Sequence, residues 1–233
     1  MGSTRLPGKV LRELGGETVL MRVIGRVRQM QMVDDLIVAT TTESPDDRVA
    51  EMARQNEVQV FRGSEDDVLD RYYKAACAFN AGVVVRITAD CPLIDPEVSD
   101  HVIQQFFNVH PDYASNTLER TYPRGLDTEV MTFTALHRAW EEASELYQRI
   151  HVTPYLYQNP QLFRLLSVTG GVDHSHHRWT LDTGEDLEFL QMVYTRLAGK
   201  TGTGWRDVLG IIEREPALAE INRTIAQKAI HEG

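Results

Sequence analysis

Val83-Val84-Val85-Arg86-Ile87-Thr88-Ala89-Asp90-Cys91-Pro92 decides the fold. Its β-branched residues fit a pleated strand, and the run is too apolar for one face to meet water, so it reads as a strand buried on both sides. Outward from it the same grammar repeats. Glu65 to Asn80 has the spacing of a helix, Val58-Gln59-Val60-Phe61 of a strand, and Ser44-Pro45-Asp46-Asp47 starts a helix that runs to about Asn56. Leu36-Ile37-Val38-Ala39 is a short apolar strand, and Val19, Leu20, Val23, Ile24 and Val27 recur at helical spacing within residues 17–32. Downstream, Thr128 to Phe133 reads as a strand, and Glu185 to Leu197, Trp205 to Arg214 and Pro216 to Ile230 as helices. Strands alternating with helices predict an α/β fold with a mainly parallel sheet and ligands beyond the carboxyl ends of its strands. No linker or repeat divides the chain. The expectation is a single domain over 1–233 with a smaller subregion at about 115–175.

The 233 residues are 42% hydrophobic and 25% charged, enough apolar mass for a sizeable core. The formal net charge of -10 opposes a general affinity for nucleic acid or anionic membranes. Two cysteines are too few for a disulfide framework, and no leader or long apolar run is visible, so a cytoplasmic address is expected. A symmetric homodimer is the commonest prior for oligomeric state.

Four groups of residues could carry chemistry. Gly2-Ser3-Thr4-Arg5-Leu6-Pro7-Gly8-Lys9 combines glycines that let backbone N–H groups approach an anion, hydroxyl donors, and two cations for phosphate oxygens; a polar amino terminus has the same composition. Asp90 follows the buried strand, where a carboxylate holds a hard cation or caps the helix beginning near Pro96. Asp182 stands just outside a capping-box pattern made by Thr183 and Asp186. Asp127 and Glu129 would share one strand face near Arg124, suiting sugar hydroxyls, a second metal, or a solvated surface. His174, His176 and His177 read as a polar loop, and Tyr72, Tyr73, Trp140, Tyr147, Tyr155 and Tyr157 as core or rim.

These segments, in this order, resemble the cytidylyltransferase family that includes CMP-sialic acid and CMP-Kdo synthetases, most closely its spore-coat polysaccharide branch. The resemblance rests on Met1 to Leu11, Ile87 to Pro96, Tyr122 to Val130, His151 to Tyr155, and Arg178 to Thr183 with Glu185 to Glu188. It implies a Rossmann-like nucleotide-diphospho-sugar transferase (GT-A-type) fold and transfer of a nucleotide from CTP to a sugar. By that likeness Gly2, Ser3, Thr4, Arg5, Gly8 and Lys9 cradle the triphosphate, and Asp90 and Asp182 hold Mg²⁺. Arg124, Asp127, Glu129 and His151 face the sugar. Relatives carry a mid-sheet strand and an Arg before the position of Met1, so the first strand is expected to be missing. Two rival readings are a glycosyltransferase consuming a nucleotide sugar and a non-catalytic nucleotide- or sugar-binding protein.

Overall fold

The computed structural model describes residues 5–200, 202–228 and 230. Elements follow in chain order. β1 (Glu13–Leu14) and β2 (Glu17–Thr18) form a short hairpin that leads into α1 (Val19–Val27). β3 (Ile37–Thr41), α2 (Asp47–Gln55), β4 (Gln59–Gly63), α3 (Val68–Ala78) and β5 (Val83–Arg86) complete the alternating half. Then come α4 (Pro96–Val109), β6 (Tyr113–Ser115), β7 (Glu129–Thr132), α5 (Phe133–Glu142), α6 (Leu146–His151), α7 (Pro154–Gln158) and β8 (Leu165–Ser167). α8 (Gly184–Leu197), α9 (Trp205–Arg214) and α10 (Ala217–Glu220) finish the chain.

The sheet is mixed. β3 pairs with β4, and β6 with β8, in parallel; β7 runs antiparallel to both β5 and β6 in the order β5-β7-β6-β8. Strand alternation puts successive side chains on opposite faces. Tyr113, Val84 and Met131 pack with α3 and α5 residues, whereas Ala114, Val83, Val85 and Val130 pack with Val102, Ile103 and Phe106 of α4. Helices therefore cover both faces, which is why β5 reads as a continuous apolar run. Among the described residues no ladder joins β3 to β5, and the side chains of β5 are only half buried.

Local sequence explains the element ends. Thr18 caps α1 by accepting from Met21 N, Asp67 caps α3, and Asp95 with Pro96 starts α4. The cap of α4 is thus Asp95, which leaves Asp90 uncommitted to that helix. Thr183 and Asp186 form the expected reciprocal box at α8. The helix expected from Pro216 to Ile230 is confined to Ala217–Glu220. Beyond it Asn222 turns inward, and its amide donates to Arg178 O and Asp186 Oδ1, both at 2.9 Å, bonds a continued helix would forgo.

The apolar cluster nearest the site joins distant segments: Leu14 and Val19, Leu93, Leu126, Trp179 and Leu181, and the inner faces of α8 and α9. Each such side chain taken from water contributes roughly 1.5–3 kcal/mol. This core ties the opening segment to the stretch that carries Asp182. No helix among the described residues is long and apolar enough to cross a membrane.

Candidate active site

Asp90 and Asp182 converge because their backbones are joined. Leu181 N donates to Asp90 O at 2.8 Å, and Thr180 Oγ1 donates to the same carbonyl at 3.3 Å. The segment holding Asp90 turns sharply beyond β5, with Cys91 N bonded to Thr88 O. On the other side Trp179 N donates to Arg124 O, and Arg124 N to His177 O, so the Tyr122–Asp127 stretch lies against the Asp182 stretch. Gly125 makes that approach possible. Its φ is +108°, and a Cβ there would stand 2.7 Å from the Trp179 carbonyl carbon.

Opposite these carboxylates the opening loop delivers its cations. Gly8, at φ 68°, precedes a single 3₁₀ turn, Lys9–Leu11. From there Lys9 Nζ reaches Asp90 Oδ2 at 2.6 Å and Asp182 Oδ1 at 2.7 Å, partners 81 and 173 residues away. Arg5 lies 3.2 Å from Asp182 Oδ2. Burial works against the Lys9 ammonium, but the two carboxylates outweigh it and raise its pKa above the ordinary value. Burial likewise opposes ionisation of Asp182, while Lys9, Arg178 and Arg5 together lower its pKa.

Behind Asp182 stands a buried network. Arg178 Nη2 donates to Asp182 Oδ2 at 2.8 Å and, with Nε, to Asp186. Asp186 also accepts from Asp182 N, Thr183 N and Asn222 Nδ2. Asp186 is therefore cap and anchor at once. The sequence offered the spacing from Arg178 to Asp182 and Asp186 within a quoted motif, but nothing marked Asn222, whose contribution is purely tertiary.

Asp127, Glu129 and His151 line one cleft of about 430 Å³ with Arg86, Thr88, Thr117, Arg120 and Gln227. Gln227 Oε1 also accepts from Arg178 Nη1 at 2.8 Å, so the cleft abuts the cation cluster. The carboxylates do not share Arg124. Arg120 forks onto both oxygens of Asp127 at 2.6 and 2.8 Å, and Glu129 is held by Arg86, Tyr113 Oη and Thr153 Oγ1. Asp127 precedes β7, outside the strand that was to align it with Glu129. Arg124 is half buried and does not line the cleft; burial, then the neighbouring Arg120, lower its pKa. Arg120 and Tyr113 carried no local sequence signal, and Arg86 and Thr153, though inside quoted segments, were not singled out.

Gly2, Ser3 and Thr4 lie outside the described residues. His174, His176 and His177 line a separate cavity of about 620 Å³ with Trp179 and Asn222, and among the described residues no group of three His, Cys, Asp or Glu side chains is placed to hold a metal ion.

The sequence matches the cytidylyltransferase family over residues 1–203. The chain belongs to the cytidylyltransferase family. Among its relatives, the spore coat polysaccharide biosynthesis protein SpsF of Bacillus subtilis is 34% identical, covering 94% of this chain and 93% of that protein. A solved cytidylyltransferase from Leptospira borgpetersenii superposes with a TM-score of 0.91 at 34% identity, over 97% of this chain and 95% of that one. CMP:2-keto-3-deoxy-manno-octonic acid synthetase, solved with CTP, gives a TM-score of 0.64 at 18% identity over 84% of this chain and 95% of that one, a likeness of fold alone. Membership and the shared Rossmann-like fold make this cytidylyltransferase a nucleotidyltransferase by family, related to enzymes that act on sugars.

Proposed function

We propose that this protein transfers cytidine monophosphate from CTP to a sugar hydroxyl, with release of pyrophosphate, in the synthesis of a surface polysaccharide. The observation that carries the reading is the convergence of Arg5 and Lys9 with Asp90 and Asp182 beside a polar cleft. A glycosyltransferase would need to accommodate a diphosphate leaving group; two cations on one loop suit a triphosphate better.

The donor set fits Mg²⁺. Asp90 and Asp182 offer hard carboxylate oxygens already gathered around one cationic nitrogen, and Mg²⁺ is typically bound by one or two carboxylates with phosphates and water supplying the rest. When bound, the ion would neutralise charge on the phosphates as pyrophosphate departs. Arg5 and Lys9 would bind phosphate oxygens. The Arg178–Asp186 network would hold Asp182 in place. Asp127, with His151 lining the same cleft, would orient the acceptor for in-line attack. Positioning and fixed charge do this work, and no covalent nucleophile is required.

A pyrophosphate-release screen of the four nucleoside triphosphates with Mg²⁺, against nonulosonic and other bacterial sugars, tests the reading. Release with CTP and one sugar class is the expected result. Binding of CTP without release in the presence of every sugar class would favour a non-catalytic role.

A further inference from the structure

The Lys9 ammonium lies between the two carboxylates that the proposed function gives to the divalent cation. Around it the charges cancel: Asp90, Asp182 and Asp186 face Lys9, Arg5 and Arg178. We propose that Lys9 is the resident counter-ion of the Asp90–Asp182 pair, which the divalent cation displaces, and that the released ammonium is taken by the nucleotide's phosphates. The inference rests on the metal reading of these aspartates and adds an order to it.

Charge and place set the order of binding. A divalent ion arriving alone meets a site that is already neutral and must expel an ammonium that is 16% exposed and bonded at 2.6 and 2.7 Å. Among the described residues only Asp90 and Asp182 are bonded to that ammonium, so its release into a partly buried space is costly. A triphosphate changes the balance by supplying oxygens for Lys9 and ligands for the metal together. Metal and nucleotide then bind cooperatively, each lowering the cost of admitting the other. Lys9 follows a left-handed glycine and sits in a single turn, whereas Asp182 is clamped by Arg178.

Lys9→Met and Lys9→Gln remove the charge with little change in length, and circular dichroism with thermal melting verifies their folds. Two titrations are then read. Mn²⁺ alone, followed by electron paramagnetic resonance, should bind both variants about tenfold more tightly than the wild type, the scale expected for removing a unit charge beside a divalent ion. CTP in the presence of EDTA, followed by calorimetry, should bind both variants more weakly than the wild type. The opposite signs exclude a merely structural role, which would weaken both ligands. Mn²⁺ affinity in the variants equal to or below that of the wild type overturns the proposal. If CTP binds but neither wild type nor variants take up Mn²⁺ under any condition, the metal reading of Asp90 and Asp182 falls as well.

Discussion

Arg178 forks onto Asp186 at 2.9 and 3.0 Å, and Asp186 is fully buried. A carboxylate so placed is tolerated because it accepts from a guanidinium, two backbone amides and the Asn222 side chain. Removing one partner of a buried pair leaves the other charge uncompensated, which costs about 3–5 kcal/mol. Asp186→Asn should therefore lower the unfolding free energy by that amount in equilibrium urea titrations. A loss below about 1 kcal/mol would mean the network is not what holds this region.

Asp90 and Asp182 should separate activity from stability. Asp90 is 23% exposed and bonded chiefly to Lys9, so Asp90→Asn is expected to melt close to the wild type. Its pyrophosphate release should fall by about a hundredfold or more, as when one preorganised electrostatic group is lost. Asp182→Asn should show the same kinetic loss with a larger drop in melting temperature, because Arg178 loses one of its two carboxylate partners. Near-normal turnover by either variant would remove the residue from the catalytic assignment.

The legible parts of the molecule were those fixed by local pattern. The valines of β5, the capping box at Thr183 and Asp186, and the glycine-flanked Lys9 loop each announce themselves over a few residues. The Asp90–Asp182 convergence was accessible through the family likeness, since no periodicity links residues so far apart. What stayed hidden depends on tertiary pairing. Arg120 on Asp127, Arg86 and Tyr113 on Glu129, and Asn222 on Asp186 are ordinary polar residues until the sheet order and the last turn bring them together. The antiparallel setting of β7 was equally illegible, because both faces of β7 are covered and its side chains read alike in either direction.

Gly125 tests whether the contact between the two halves of the site is as close as the geometry says. Gly125→Ala imposes a φ of +108° on an L side chain and drives its Cβ to 2.7 Å from the Trp179 backbone, which cannot swing aside as a side-chain tip would. Strain and overpacking together should cost about 3 kcal/mol. Reduced melting temperature with raised KM for both substrates is the expected pair of readouts. An unchanged melt would show that the Tyr122–Asp127 stretch can move away from Trp179.

The two cleft carboxylates should behave differently although both line the same cavity. Glu129 is 7% exposed and spends its oxygens on Arg86, Tyr113 and Thr153, and its charge, after burial, raises the Tyr113 pKa. Asp127 has a 26% exposed side chain and a single arginine. Glu129→Gln is expected to destabilise by about 2–3 kcal/mol, leaving the partly buried Arg86 short of its partner. Asp127→Asn should leave the melt nearly unchanged and raise KM for the acceptor, with KM for CTP held. A reversal of these two phenotypes would exchange their roles.

His177 gives the fold a dependence on pH whose direction can be worked out. Burial, then the neighbouring His176 and His174, push its pKa down from 6.5 to about 4. In the unfolded chain the imidazole takes up a proton as pH drops through about 6.5, while in the folded chain it stays neutral until about 4. The unfolded state thus binds more protons across that window, so His177 stabilises fully above it and loses its contribution as pH falls from about 6.5 toward 4. Because the ring is only half buried, the swing is discounted to about 1 kcal/mol. Urea titrations of wild type and His177→Gln at intervals from pH 7.5 to 4 isolate it, since carboxylate contributions cancel in the difference. The gap between the two proteins should narrow in favour of the variant as the solution becomes more acidic, and a gap independent of pH would show that His177 titrates alike in both states.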